Sequence, residues 1–342
     1  MAPVKNAKSV FAAIPEDYPV PGKHIVYDDK DTIDPDTVAL NGGVLVKVLF
    51  LSIDPYLRGR MQPSNFSSYI PSFELGQPLV NFGVGVVVRS EDKGFKAGDH
   101  VYGLIPFQQY IIVPGAILRV LPNTHNIPWS VYVGSAGMPG MTAYAAWNEY
   151  ADVKPGDVVF VSTGAGAVGS LVVQIAKMAG CKVIASAGSE EKVKFMKEIG
   201  VDVPFNYKTE NTAEILKREG PINVFWDNVG GETLEAAMDN AADGARIIAC
   251  GAISGYNTGT VRPSSSWDIV FRKSLHIHGF IVSRIQDKYL DSFYKEVPEW
   301  IATGKVKIRE EIAEGLEKVG DLFVAVQKGY NTGKAVIKVA DE

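Results

Sequence analysis

Three glycines, Gly164, Gly166 and Gly169, lie between an apolar run at 158–162 and a stretch in which Val168, Leu171, Val172, Ile175, Ala176 and Ala179 recur at helical spacing. A strand that runs into Gly-x-Gly-x-x-Gly and then into a helix is the context in which that spacing marks a dinucleotide-binding turn. The turn must be tight and the backbone must approach a pyrophosphate closely, so side chains have to be absent, while the helix N-terminus offers free N–H groups to the anion. Downstream, Gly180 stands at a helix C-cap position, and a second strand is predicted at 183–187. Ser189 is the N-cap of the next helix, with Glu190 and Glu191 in its first turn and Gly200 after its end. Further strands are predicted at 203–205, 224–228, 246–251 and 275–280, with helices at 212–218 and 233–242. Six apolar strands alternating with helices define an α/β, Rossmann-type doubly wound parallel sheet.

The 342 residues exceed the size at which one hydrophobic core stops growing, so two domains are expected. Residues 1–130 read as β-rich, with short apolar runs at 43–51, 82–89, 99–104 and 109–113 between Pro and Gly, the pattern of a small barrel or sandwich. Pro55, Pro63, Pro71 and Pro78 mark a long irregular stretch. Beyond residue 290, helices are predicted at 289–303 and 315–327 and a last strand at 334–339. The expected division is a β-rich catalytic domain, 1–130 with 300–342, and a dinucleotide-binding domain, 131–299.

Several function classes are excluded. The net charge is −5, and the 34 basic residues form no run, so a nucleic-acid partner is not expected. Cys181 and Cys250 cannot make a disulfide framework, and a reducing, cytoplasmic setting fits them. No apolar run approaches 18 residues, and residues 1–11 do not read as a signal peptide. Of the five histidines only His276 and His278 are close, with no third ligand near, so a metal-free protein is expected. There is no Gly-x-Ser-x-Gly elbow.

The end of the second strand discriminates between dinucleotides. An NAD site places Asp or Glu there to hold the ribose hydroxyls. Here the tip reads Ala185-Ser186-Ala187-Gly188-Ser189, without a carboxylate, and Lys192 follows within one helical turn. Small residues leave room for a 2′-phosphate and a lysine suits it, so NADPH/NADP+ is the expected cofactor. Glu190 and Glu191 are explained by their place at a helix N-terminus.

The order of domains resembles the medium-chain dehydrogenase/reductase superfamily, and within it the zinc-independent alkenal double-bond reductases and prostaglandin reductases. The stretches that carry the resemblance are Asp54-Pro55-Tyr56-Leu57-Arg58-Gly59-Arg60-Met61, Gly137-Met138-Pro139-Gly140-Met141-Thr142-Ala143-Tyr144 and Ser186-Ala187-Gly188-Ser189-Glu190-Glu191-Lys192. They continue in Phe205-Asn206-Tyr207-Lys208, Asp227-Asn228-Val229-Gly230-Gly231, Cys250-Gly251-Ala252-Ile253-Ser254-Gly255-Tyr256-Asn257 and Gly279-Phe280-Ile281-Val282-Ser283. Two departures stand out. The family's Ala-Ala-Ser-Gly opening of the glycine loop is Thr163-Gly164-Ala165-Gly166 here, and the Gly-His-Glu of the zinc-dependent cousins is Gly76-Gln77-Pro78.

The resemblance implies a GroES-like first domain and a homodimer. It implies that Gly188, Lys192 and Tyr207 surround the 2′-phosphate. Thr142, Gly164, Ala165, Gly166, Ala167, Val168, Gly169, Asn228, Cys250, Gly251, Tyr256 and Asn331 would line the rest of the cofactor, with Phe280, Ile281 and Val282 by the nicotinamide. Tyr56 and Tyr256 would meet the substrate carbonyl. The expected reaction is NADPH-dependent reduction of the carbon–carbon double bond of an α,β-unsaturated aldehyde or ketone, in a cleft between the domains, with hydride to the β-carbon and a proton to the α-carbon. The alternatives are a quinone or 15-keto-lipid reductase on the same scaffold, and a non-catalytic NADPH-binding protein.

Overall fold

The computed structural model describes residues 3–258 and 267–342. The chain forms two compact units, one of residues up to Gly137 together with Glu310–Glu342, the other Met138–Arg309.

The second unit is built on a six-stranded parallel sheet of β1 (Val158–Val161), β2 (Lys182–Ala187), β3 (Val203–Asn206), β4 (Ile222–Asp227), β5 (Ala241–Ala249) and β6 (His276–Gly279). Their spatial order is 3-2-1-4-5-6, every neighbouring pair parallel, which is the doubly wound order of two mononucleotide-binding halves. Alternate residues of a strand point to opposite faces, and the core divides accordingly. Val159, Val161, Val183, Ala185, Val224 and Trp226 share one cluster with α1 (Met138–Tyr150), α2 (Gly169–Met178), α3 (Glu190–Glu198) and α7 (Leu290–Ala302). Phe160, Ile184, Phe225 and Ile247 share the other with α4 (Thr212–Glu219), α5 (Gly231–Asp239) and α6 (Trp267–Arg272).

The predicted strands and helices fall within a few residues of the observed ones. The largest offset is at β5, which begins at Ala241 inside the predicted helix 233–242. The register against β4 shifts between Ile222 and Val224, and Gly244 has φ +71°, so the strand starts through an irregularity whose Ala-Ala-Asp-Gly-Ala sequence has no strand alternation. Helix α1 escapes a periodicity reading because it is apolar nearly all round, with Pro139 through Trp147 buried.

In the first unit a seven-stranded sheet runs Glu310–Glu314, Lys334–Lys338, Val44–Ser52, Val80–Ser90, His100–Pro106, Leu118–Val120, with Tyr110–Val113 also paired to Val44–Ser52. Lys334–Lys338 pairs antiparallel to Val44–Ser52, Val336 opposite Ser52. Phe323 and Leu322 of the helix Val319–Gln327 pack with Val46, Val48 and Ile337 in its core. Among the described residues no helix is long and apolar enough to cross a membrane, and no group of three or more His, Cys, Asp or Glu is placed to hold a metal ion. His276 and His278 lie stacked on the outer strand β6, 6.3 Å apart. Cys181 and Cys250 are free.

Candidate nucleotide and active site

The carboxyl ends of β1, β2, β4, β5 and β6 carry nearly all of the sequence-predicted residues of the second unit. After β1, the glycine loop folds as its spacing requires. The Gly164 N–H donates to Ser186 O at 2.9 Å, and the Gly166 N–H to Thr163 O at 2.9 Å. A Cβ on Gly164 would lie 2.6 Å from Ala185 Cβ, and one on Gly169 would lie 2.4 Å from Thr163 O. Both glycines are therefore needed to seat the helix on the sheet. At Gly166 an added Cβ meets nothing nearer than Thr163 O at 3.2 Å, so this glycine keeps clear the side on which a pyrophosphate would approach. Ala165 is buried, and Val168 leads into α2 in the α conformation. Thr163 itself has φ +52°, an unusual conformation for a β-branched residue. The loop thus fits a dinucleotide pyrophosphate.

At the tip of β2, Gly188 approaches Tyr207 closely: a Cβ there would lie 2.8 Å from the tyrosine hydroxyl and 3.2 Å from Lys208 Cε. Tyr207 is half exposed. Ser189 caps α3, its hydroxyl accepting the Lys192 N–H. Both neighbouring carboxylates are engaged elsewhere, Glu190 by Asn206 Nδ2 at 2.8 Å and Glu191 by Arg309 at 3.0 Å. Gly188, Tyr207, Lys208 and the first turn of α3 meet at this tip, with Glu190 and Glu191 turned to Asn206 and Arg309. Lys208 is an addition to the sequence-predicted set, and its signal was its place directly after Tyr207.

At the ends of β4 and β5, backbone and side chains are laced together. Asn228 donates from Nδ2 to Ser162 O at 2.7 Å and accepts on Oδ1 from Trp226 Nε1 at 3.2 Å. The Cys250 and Gly251 N–H groups donate to Asp227 O. Tyr256 folds back over this end, and its hydroxyl accepts the Ala252 N–H at 3.3 Å. A Cβ on Gly251 would stand 3.0 Å from that hydroxyl, so the glycine is what lets the ring lie there. Burial pushes the Tyr256 phenol up, and the neighbouring Cys250 and Asp227 add to this. It is held neutral, as a proton donor must be. Burial likewise pushes the Cys250 thiol up to about 12, so it is no nucleophile. Phe280 meets Trp226 edge-on at 6.1 Å, and Ile281 and Val282 follow, partly buried. Thr142 spends its hydroxyl on Met138 O at 2.8 Å, inside its own helix.

Asp227 sits beneath this cluster. Its Oδ1 accepts the Val229 and Gly230 N–H groups at 2.9 and 2.8 Å, yet burial outweighs them and pushes the carboxyl up to about 6. An acid whose folded pKa is raised stabilises the fold fully below its unfolded value, near 4, and loses that contribution as pH rises through 6, here roughly 3 kcal/mol. Asp227→Asn keeps the carbonyl acceptor and removes the titration. Urea unfolding at pH 4 and pH 7.5 should show the variant gaining about 2.4 kcal/mol on the parent between the two. An equal difference at both would show that Asp227 does not titrate there.

In the first unit, Tyr56 lies on the short 3-10 helix Pro55–Arg60 and donates to Asn81 Oδ1 at 2.5 Å. Asn331 donates to Gly333 O at 2.8 Å within its own turn.

A doubly wound sheet with this glycine loop and a β-rich companion unit defines a dinucleotide-dependent oxidoreductase scaffold. The model described as the zinc-binding dehydrogenase family matches residues 167–301, and that of the N-terminal domain of oxidoreductases matches 32–121. The chain is 40% identical to a 2-alkenal reductase (NADP(+)-dependent) of Nicotiana tabacum over 87% of its length and 88% of the relative's. It is 38% identical to prostaglandin reductase 1 of Rattus norvegicus over 87% and 90%. The crystal structure of CurA in complex with NADPH from Vibrio vulnificus superposes with a TM-score of 0.88 at 32% identity, covering 98% of this chain and all of the other. The chain belongs to the medium-chain dehydrogenase/reductase superfamily, in the group of the alkenal and prostaglandin reductases.

Proposed function

We propose that this oxidoreductase is an NADPH-dependent reductase of the carbon–carbon double bond of 2-alkenals and enones. The observation that carries the reading is the Tyr256 hydroxyl, fixed at the end of β5 by the Ala252 N–H. Because the oxygen accepts that bond, its proton remains for an acceptor, and no acceptor for it exists among the described residues. A dinucleotide held by its pyrophosphate on the glycine loop would supply the hydride from its dihydronicotinamide. Addition at the β-carbon places negative charge on the substrate oxygen, and a neutral buried phenol aimed at that oxygen stabilises the charge more in the transition state than in the ground state. The Asn228 side chain, held from both sides by Ser162 and Trp226, keeps the floor of the site rigid. The proton for the α-carbon then comes from a tyrosine or water.

The preference for NADPH over NADH follows from the tip of β2. Lys192, Tyr207 and Lys208 are the donors for a 2′-phosphate, and the NADP(+)-dependent tobacco relative supports the reading. A lysine–phosphate contact that is partly exposed is worth about 1–3 kcal/mol, or about 5- to 150-fold. Lys192→Ala should raise the KM for NADPH by that factor and leave the KM for NADH nearly unchanged. Equal loss with both cofactors would remove the lysine from the phosphate site. The activity itself is tested by following NADPH consumption across enals, linear and cyclic enones, quinones and keto-lipids. Turnover with enals and enones is expected; turnover with quinones alone would replace the reading.

A further inference from the structure

Three glutamates stand around the ends of β2 and β3, where a like charge facing a phosphate would weaken its binding. Asn206, the last residue of β3 and 6% exposed, engages two of them. Its Nδ2 donates to Glu190 Oε1 at 2.8 Å, and its backbone N–H donates to Glu210 Oε1 at 3.2 Å. The third, Glu191, is held by Arg309. Asn206 Oδ1 accepts the Lys208 N–H at 3.1 Å, and its carbonyl accepts the Thr209 and Glu210 N–H groups at 3.0 and 2.9 Å. These partners fix the amide's orientation. A backbone N–H only donates and an ionised carboxylate only accepts, so Oδ1 faces Lys208 and Nδ2 faces Glu190. One buried side chain thus ties the first residue of α3 to the turn Tyr207-Lys208. Asn206 stands in register with Ala187, the last residue of β2, so this tie lies directly beside Gly188.

We infer that Asn206 is a positioning residue for cofactor selectivity: its amide holds the Glu190 carboxylate at the end of β3 and so keeps the tip of β2 open to a 2′-phosphate. The inference rests on the assignment of that tip to NADPH given above. Glu190 follows the last residue of β2 by three positions. It is the first acid after the strand, in the stretch where an NAD site places its ribose-binding carboxylate. Released from Asn206, it would bring a like charge to the phosphate and an acceptor to the ribose hydroxyls, which weakens NADPH and favours NADH. Two consecutive glutamates beside a phosphate site are tolerated because each is bound to a partner from another part of the unit, Glu190 by Asn206 of β3 and Glu191 by Arg309 beyond α7.

Adenosine 2′,5′-bisphosphate and adenosine 5′-monophosphate differ only in the 2′-phosphate. The ratio of their dissociation constants, measured by calorimetry on the full chain, therefore reads the tip without turnover. Asn206→Ala should lower the preference for the bisphosphate by about fivefold. Adding Glu190→Gln to that variant should restore the preference to within about twofold of the parent. The rescue separates positioning from damage, because a disturbed Tyr207-Lys208 turn also lowers the preference but is not repaired by removing a charge on α3. A ratio unchanged in Asn206→Ala, or a loss that Glu190→Gln leaves in place, overturns the inference. A crystal structure of the unaltered protein with the bisphosphate bound needs no variant. The bond from Asn206 to Glu190 should persist beside the phosphate, and a Glu190 carboxylate turned onto the ribose overturns the inference. A parent that binds the two nucleotides alike overturns the NADPH assignment and the inference with it, whereas a parent that prefers the bisphosphate without the rescue overturns the inference alone.

Discussion

Tyr256→Phe should lower single-turnover NADPH oxidation with an enone by on the order of 10²–10³ while NADPH affinity, read by cofactor fluorescence, changes little. The ring stays where Gly251 makes room for it, and only the hydroxyl is lost. Among the described residues, that hydroxyl makes one long bond, 3.3 Å from the Ala252 N–H, so its removal costs the fold little. On the substrate side it removes a phenol whose proton has no acceptor among the described residues. Turnover within about twofold of the parent, or a loss confined to cofactor affinity, would make Tyr256 a cofactor-pocket residue.

Trp226→Ala should destabilise the protein by about 3–5 kcal/mol, the range for deleting a large aromatic from a core. Trp226 is completely buried near the carboxyl end of β4 and pairs in register with Val161 and Ile248 on its two neighbours. Phe280 packs on its edge at 6.1 Å. Its Nε1 also donates to Asn228 Oδ1, so the cavity and a loosened site floor come together. Chemical denaturation gives the stability, and cofactor titration of the folded fraction gives the second effect. Trp226→Phe, which keeps most of the volume and loses the donor, separates the two. A stability loss under about 1 kcal/mol for the alanine variant would mean that the core around β4 collapses into the gap.

Much of this was legible in the residues. The six strands and the glycine loop were, because apolar runs and helical spacing report burial directly, and the caps Ser189 and Gly180 stand where the sequence puts them. The tip of β2 was legible as an absence, a missing carboxylate, but not in its detail. Only the structure shows Glu190 and Glu191 bound to Asn206 and Arg309, since neither partner follows from local pattern. The buried bond from Lys334 to Asp54 was invisible for the same reason, its partners lying 280 residues apart in sequence. Helix α1 was missed because a helix buried on every side has no polar face to set a period. The polarity of a hydroxyl is never written in sequence: Tyr56 and Tyr256 read alike until their partners are known.

The central claim is hydride delivery to the β-carbon of a conjugated carbonyl. Its most direct test is a single turnover of an enone with NADPH deuterated at the transferable position, followed by mass and NMR analysis of the product. The account predicts a saturated ketone with one deuterium on the β-carbon and none on the carbonyl carbon. An allylic alcohol labelled at the former carbonyl carbon, or no oxidation of NADPH by any conjugated carbonyl, would contradict it.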